Sequence, residues 1–210
     1  WYADWGPLLM EFEGRLKARL SPQDQLTTVA NATQGLALTL HALGLPTGSL
    51  VALPSWTFVA TAHAVLQAGL TPWFVDVDPD SWSLTPEGLA NAMQHAPGRV
   101  SAAIVVSPFG RPLDGAAWAD FSRTRNLPVV IDAAAAFDTV HVAALPTVVS
   151  LHAAKVLGVG EGGFIACRDS DFINRLRGLT SYGFRGSRES LYPATNAKLK
   201  DLATEEERLG

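Results

Sequence analysis

The 210-residue sequence predicts an α/β protein in three layers, a mostly parallel sheet flanked by helices. Three observations lead to that class. Short apolar runs alternate with longer segments of helical spacing, the pattern of strands joined by crossover helices. The runs lack the polar alternation of a strand with one wet face, so they read as strands buried on both faces. Finally, 48% hydrophobic and 17% charged residues suit one folded core rather than a disordered chain, and a chain of this size can bury roughly 70% of its unfolded surface.

The elements follow in order. Leu8, Phe12, Leu16 and Leu20 recur every fourth residue with Glu11, Glu13, Arg15, Lys17 and Arg19 between them, which predicts an amphipathic helix with those charges on its wet side. Gly6-Pro7 opens it, proline being well tolerated in a first turn. Strands are expected at 26–30, 50–53, 73–77, 102–106, 129–131, 148–151 and 164–167, and helices at 34–43, 58–68, 86–95 and 113–125. In such sheets ligands sit beyond the carboxyl ends of the strands. The polar residues that follow apolar runs are therefore the first candidates: Asn31 and Thr33, Ser55 to Phe58, Asp132, and Ser150 to Lys155.

Several function classes are excluded. The net charge of −4 does not suit a nucleic-acid binder acting through bulk positive charge. A single cysteine, Cys167, cannot form an internal disulfide, and no apolar run approaches the roughly 18 residues of a membrane span. A reducing, aqueous compartment, taken as the cytoplasm, is expected. The five histidines never stand at ligand spacing with one another or with Cys167, so no metal site is expected. Gly158 to Gly163 matches a dinucleotide-binding glycine pattern in form only, because a strand-like run, Phe164 to Cys167, follows where a helix is required.

There are four lysines. Lys17 falls on the polar side of the first helix, and Lys198 and Lys200 fall in a charge-dense tail. Lys155 stands apart, between Ala153-Ala154 and Val156-Leu157 and just before a glycine-rich turn. An amine in apolar surroundings loses hydration of its charged form, which favours the nucleophilic state needed for a Schiff base. A surface lysine lying along apolar neighbours is the bland alternative. Asp132 ends the run Val129-Val130-Ile131 and opens Ala133 to Ala136. Alone it reads equally as a turn cap, but with a Schiff-base lysine it supplies the carboxylate that keeps the pyridine nitrogen of pyridoxal phosphate (PLP) protonated. Asn31 to Gly35 joins a strand to a helix and offers a phosphate cradle at a helix N-terminus. Thr33 read alone is an N-cap. Phe58 follows a strand end where a stacking ring would be wanted.

The segments Pro54 to Thr61, Phe74 to Asp78, Ile131 to Ala134, Ser150-Leu151-His152-Ala153-Ala154-Lys155 and Gly160-Glu161-Gly162-Gly163 resemble, in order and spacing, the DegT/DnrJ/StrS family. These are PLP-dependent aminotransferases of nucleotide-linked keto sugars, with the fold of the aspartate aminotransferase superfamily. The resemblance implies that Lys155 forms the Schiff base with the cofactor and moves the substrate proton. It implies that Asp132 pairs with the ring nitrogen, that Phe58 stacks on the ring, and that Ala32, Thr33 and Ser150 contact the phosphate. Asn196, in Thr195 to Leu199, would reach the partner subunit's cofactor in a homodimer with shared sites. Residues 1–20 would be an N-terminal helix and 21–185 the PLP-binding large domain. Residues 186–210 would start the connection to a small C-terminal domain largely absent from this chain.

Three departures stand out: Ala135 where the family usually has glutamine or histidine to meet the cofactor's phenolic oxygen, Ala154 for a frequent threonine, and Ala32 for a glycine. The activity implied is transfer of an amino group, with glutamate as the donor, to a nucleotide sugar of cell-surface or secondary-metabolite pathways. Two alternatives are a catalytically impaired or regulatory relative, favoured by Ala135, and a PLP-dependent sugar dehydratase, disfavoured because such enzymes replace the lysine by histidine.

Overall fold

In a computed structural model the fold is described for residues 6–140, 142, 144–183, 190 and 193–199. Seven strands form one sheet: β1 (Gln25–Val29), β2 (Leu50–Pro54), β3 (Thr71–Val75), β4 (Val100–Val106), β5 (Val129–Asp132), β6 (Thr147–Ser150) and β7 (Gly163–Cys167). Their order is β1-β7-β6-β5-β4-β2-β3. Neighbours from β6 through β3 run parallel, whereas β7 is antiparallel to both β6 and β1. The mostly parallel sheet is as expected. The reversal at β7 arises because a short glycine-rich connection, not a crossover helix, follows β6.

Six α-helices cover the sheet: α1 (Pro7–Ala18), α2 (Ala32–Ala42), α3 (Val59–Gln67), α4 (Pro86–Ala92), α5 (Gly115–Arg125) and α6 (Ser170–Thr180). Leu36 and Leu40 of α2, Ala64 and Val65 of α3, and Ile173 and Leu176 of α6 pack with Val51, Leu53, Ile104 and Ile165 on one face. Leu9 and Phe12 of α1, Leu89 of α4 and Trp118 of α5 pack with Ala52, Val105, Ile131 and Phe164 on the other. Successive strand residues thus enter opposite cores, and this explains the continuous apolar runs.

The sequence reading placed no helix at α6. Its charges (Asp171, Arg175, Arg177) mark a polar tail, yet Phe172, Ile173, Leu176 and Leu179 fall on one side and are buried. Asp169 caps it, accepting from the N–H groups of Asp171 and Phe172 at 2.9 and 3.0 Å. In α1 the buried stripe is Leu9, Phe12 and Leu16, and Glu13, expected in water, turns inward. β1 is an edge strand, and its Thr28 N–H and hydroxyl donate to Glu13 Oε1 at 2.8 and 2.9 Å. Arg177 donates to Oε2 at 3.3 Å. Burial nevertheless pushes the Glu13 carboxyl above its usual value.

Among the described residues no helix is long and apolar enough to cross a membrane. Of the expected connection at 186–210, only Ser190 and residues 193–199 lie within the described residues.

Candidate functional site at the carboxyl ends of the strands

A cleft of about 890 Å³ opens at the carboxyl ends of the parallel strands, and Lys155, Asp132, Phe58, Ala32, Thr33 and Ser150 all line it. They come from four separate strand ends, which the sheet order brings side by side: β1 to α2, β2 to α3, β5 to its loop, and β6 to β7.

At the β1 end, Asn31 rather than Thr33 is the N-cap, its Oδ1 accepting from Gln34 N–H at 2.9 Å. The helix therefore starts at Ala32, two residues earlier than the spacing indicated. That start leaves Ala32 and Thr33 in the first turn, where N–H groups have no intrahelical acceptor, and frees the Thr33 hydroxyl from capping. Gly163 of β7 lies against this turn. A Cβ there would stand 2.9 Å from Val149 O and 3.0 Å from Ala32 N, so only glycine lets the strand approach so closely.

Asp132, the last residue of β5, is 6% exposed. Thr61 donates its hydroxyl proton to Oδ2 at 2.7 Å, and Ala134 N–H donates to Oδ1 at 3.1 Å. Burial still raises the Asp132 carboxyl above its ordinary value, against the pull of Thr61, Ala134 and, least, the Lys155 ammonium. A buried carboxylate with so little positive charge beside it fits a protonated ring nitrogen, which would supply the missing cation.

The β6–β7 connection is laced by backbone bonds, Leu151 N–H to Gly162 O at 3.0 Å, Ala153 N–H to Gly160 O at 2.8 Å and Lys155 N–H to His152 O at 2.8 Å. Ser150 Oγ accepts from His152 N–H at 3.2 Å, which leaves its own proton for a ligand. Lys155 and Ala154 are exposed on the cleft wall, and Val156 next to them is exposed as well. The apolar enclosure expected from its sequence neighbours is not formed, because those neighbours belong to a tight turn and not to a core element. His152 and Glu161 share this wall, Nε2 to Oε1 at 3.5 Å.

Phe58 is the N-cap residue of α3 and 77% exposed, its ring free to cover a ligand. Beside it, Trp56, Trp82 and Phe109 form an aromatic rim, with centroids 5.2 and 6.4 Å apart in edge contact. Ser107 and Phe109, just past β4, also line the cleft. Their loop is held by Ser107 N–H to Asp132 O at 2.9 Å and by Gly110 at φ +80°, which lies against Ala135. Ala135 itself faces the cleft with only a methyl group. Asn196 is exposed and pairs with Ser181 outside the cleft.

Sequence reasoning gave no role to Thr61 or Ser107. Ser107 ends an apolar run just as Asp132 does, and the same rule would have found it. Thr61 precedes Ala64 and Val65 by three and four residues, the helical spacing of the buried stripe of α3.

Solved structures share this architecture. DesV of S. venezuelae, in complex with a ketimine intermediate, superposes with a TM-score of 0.88 at 29% identity over 97% of this chain and 56% of its own. DesI, in the presence of its TDP-sugar product, gives 0.83 at 35% identity over 97% and 52%. The fold is that of the large domain of PLP-dependent aminotransferases. The chain belongs to the DegT/DnrJ/EryC1/StrS aminotransferase family, whose profile it matches over residues 1–204. Among curated relatives, Protein Mb3436c of Mycobacterium bovis is 29% identical over 214 residues, 97% of this chain and 52% of that protein. GDP-perosamine synthase of Escherichia coli O157:H7 is 29% identical over 181 residues, 83% and 49%. The chain spans about half the length of the curated relatives it matches.

Proposed function

We propose that this chain forms the cofactor-binding part of a cytoplasmic PLP-dependent aminotransferase that passes an amino group from glutamate to a nucleotide-linked keto sugar, as a homodimer. The observation that carries this reading is the convergence of Lys155, Asp132, Phe58 and the α2 N-terminus on one cleft. The names of the relatives support the substrate class: DesI was solved with a TDP-sugar product, and GDP-perosamine synthase is a sugar-nucleotide enzyme by name.

PLP, when bound, supplies an electron sink for the bonds at the substrate carbon. The chain's residues do the rest. The first-turn N–H groups of Ala32 and Thr33 and the Ser150 hydroxyl receive the phosphate at the positive end of α2. Asp132 holds a proton on the ring nitrogen, and the two donors to its oxygens fix the carboxylate plane. The Phe58 ring covers the cofactor face. Lys155 Nζ would hold the cofactor and would move the proton at the substrate carbon. Asn196, which lies outside this cleft, would serve the partner subunit's cofactor phosphate in the homodimer. The alternative of an impaired or regulatory relative draws on Ala135, whose methyl offers the phenolic oxygen no donor.

Glutamate added to PLP-loaded protein tests the activity. The visible absorption should fall while one equivalent of 2-oxoglutarate forms per site, and Lys155→Ala should do neither. Absence of 2-oxoglutarate over hours would overturn the glutamate-donor reading.

A further inference from the structure

We propose that Thr61 is a positioning residue that acts on the cofactor through Asp132, with Thr57, which itself lines the cleft, as the first donor of a directed hydrogen-bond chain. The inference rests on the reading of Asp132 as the partner of the cofactor ring nitrogen.

Thr61 lies in the first turn of α3, is fully buried, and does not itself line the cleft. Its Oγ1 stands 2.7 Å from Asp132 Oδ2, across 71 positions of sequence, and 2.6 Å from Thr57 Oγ1. Each hydroxyl carries one proton, and an ionised carboxylate only accepts. Thr61 must therefore give its proton to Asp132, and Thr57 must give its own to Thr61. The order Thr57 to Thr61 to Asp132 is forced by proton count, and it exists in this direction only while Asp132 is charged.

The placement is unlike that of Thr39 and Thr124. Thr39 in α2 and Thr124 in α5 turn their hydroxyls back to carbonyls four residues earlier, at 2.7 and 2.8 Å, the usual habit of a helical threonine. Thr61 instead spends its proton on a side chain of the sheet. The same short segment, 57–61, carries Phe58, so the ring cover and the carboxylate partner are set by one turn of backbone. The charged form of a carboxylate is favoured by each hydrogen bond it accepts, and the Thr61 hydroxyl is the strongest of the groups that oppose burial at Asp132. From the other elements, the Ala134 N–H after β5 and the Lys155 ammonium on the β6–β7 connection face the same carboxylate. His152 and Glu161 stand on the Lys155 wall.

Two measurements on the whole chain test this. In the first, PLP affinity is measured by equilibrium titration for wild type, Thr61→Val, Thr61→Ser and Thr57→Val, each also in an Asp132→Asn background. Thr61→Val should weaken binding roughly tenfold or more, as expected for one hydrogen bond to a charged group. Thr57→Val should weaken it about threefold, and Thr61→Ser should stay within about twofold of wild type. None of these differences should survive in the Asp132→Asn background. Equal losses in both backgrounds would overturn the proposal, because they would show a role in shape alone. The second measurement needs no cofactor. Between pH 4 and 7, Thr61→Val apoprotein should lose stability more steeply than wild type, with the excess slope absent in Asp132→Asn. Identical slopes would overturn the coupling even if PLP binds. A wild type that binds no PLP, or Asp132→Asn that binds it as tightly as wild type, would instead overturn the reading of Asp132. If Thr61→Val does not fold, Thr57→Val and Thr61→Ser carry both tests.

Discussion

Replacing Gly163 by alanine should damage stability and cofactor binding together, and the geometry sets the size. The added Cβ would meet Val149 O at 2.9 Å, Ala32 N at 3.0 Å and the Asn31 carbonyl carbon at 3.2 Å. All three are backbone atoms, so no side chain can swing aside. β7 or the β1–α2 turn must shift by a few tenths of an ångström, and such overpacking costs about 1–3 kcal/mol. The Ala32 N–H is a proposed phosphate donor. Losing one hydrogen bond to a charged acceptor costs about 1.5–3 kcal/mol, so PLP affinity should fall roughly tenfold to a hundredfold. Gly14 in α1 is the control: nothing lies within 4 Å of its Cβ position. Gly14→Ala should therefore stabilise by about 0.5–1 kcal/mol through helix propensity and leave PLP binding unchanged. Urea denaturation and PLP titration of both variants read the two effects. A Gly163→Ala protein with wild-type stability and affinity would refute the close approach of β7 to the cradle.

Three further outcomes follow from the same geometry. Asp132→Asn should stabilise the apoprotein at neutral pH while weakening PLP binding. Because burial raises the folded carboxyl above 3.8, its stability contribution is full below that value and is lost as pH rises through the folded one. The gap between Asp132→Asn and wild type should thus open from acid toward neutral pH, and a gap independent of pH contradicts it. Glu13→Ala should cost about 1–3 kcal/mol in denaturation, since it strips the Thr28 N–H of its acceptor at the sheet edge and leaves Arg177 without that carboxylate. Phe58→Ala should change stability by less than about 0.5 kcal/mol, its ring being 77% exposed, yet weaken PLP binding about two- to tenfold if the ring stacks as proposed.

Much of this was legible in the sequence because the relevant signals are local. Unbroken apolar runs marked strands buried on both faces, except at the edge strand β3, where only Val75 is buried and Phe74 is 53% exposed, and the rule placing ligands at strand carboxyl ends picked out Asp132, Ser150 and Lys155, which share the cleft. What escaped was set by tertiary context. The charges of α6 masked a stripe, Phe172 to Leu179, that is apolar only on one side. Glu13 looked like a wet helix residue because nothing in its neighbourhood shows that an edge strand lies beside it. The reversal of β7 depends on how a turn closes, which composition does not encode. Lys155 seemed enclosed because its sequence neighbours are apolar, whereas the turn points them outward. The spacing of Thr61 from Ala64 and Val65 says nothing of its partner, which lies 71 positions away.

The central claim is that Lys155 anchors the cofactor in this cleft. Loading the protein with PLP, reducing with borohydride and mapping the peptides by mass tests it directly. One cofactor-derived mass per chain is expected, located on Lys155 and absent from Lys155→Ala. A label spread over Lys17, Lys198 and Lys200, or one that persists in Lys155→Ala, would contradict it.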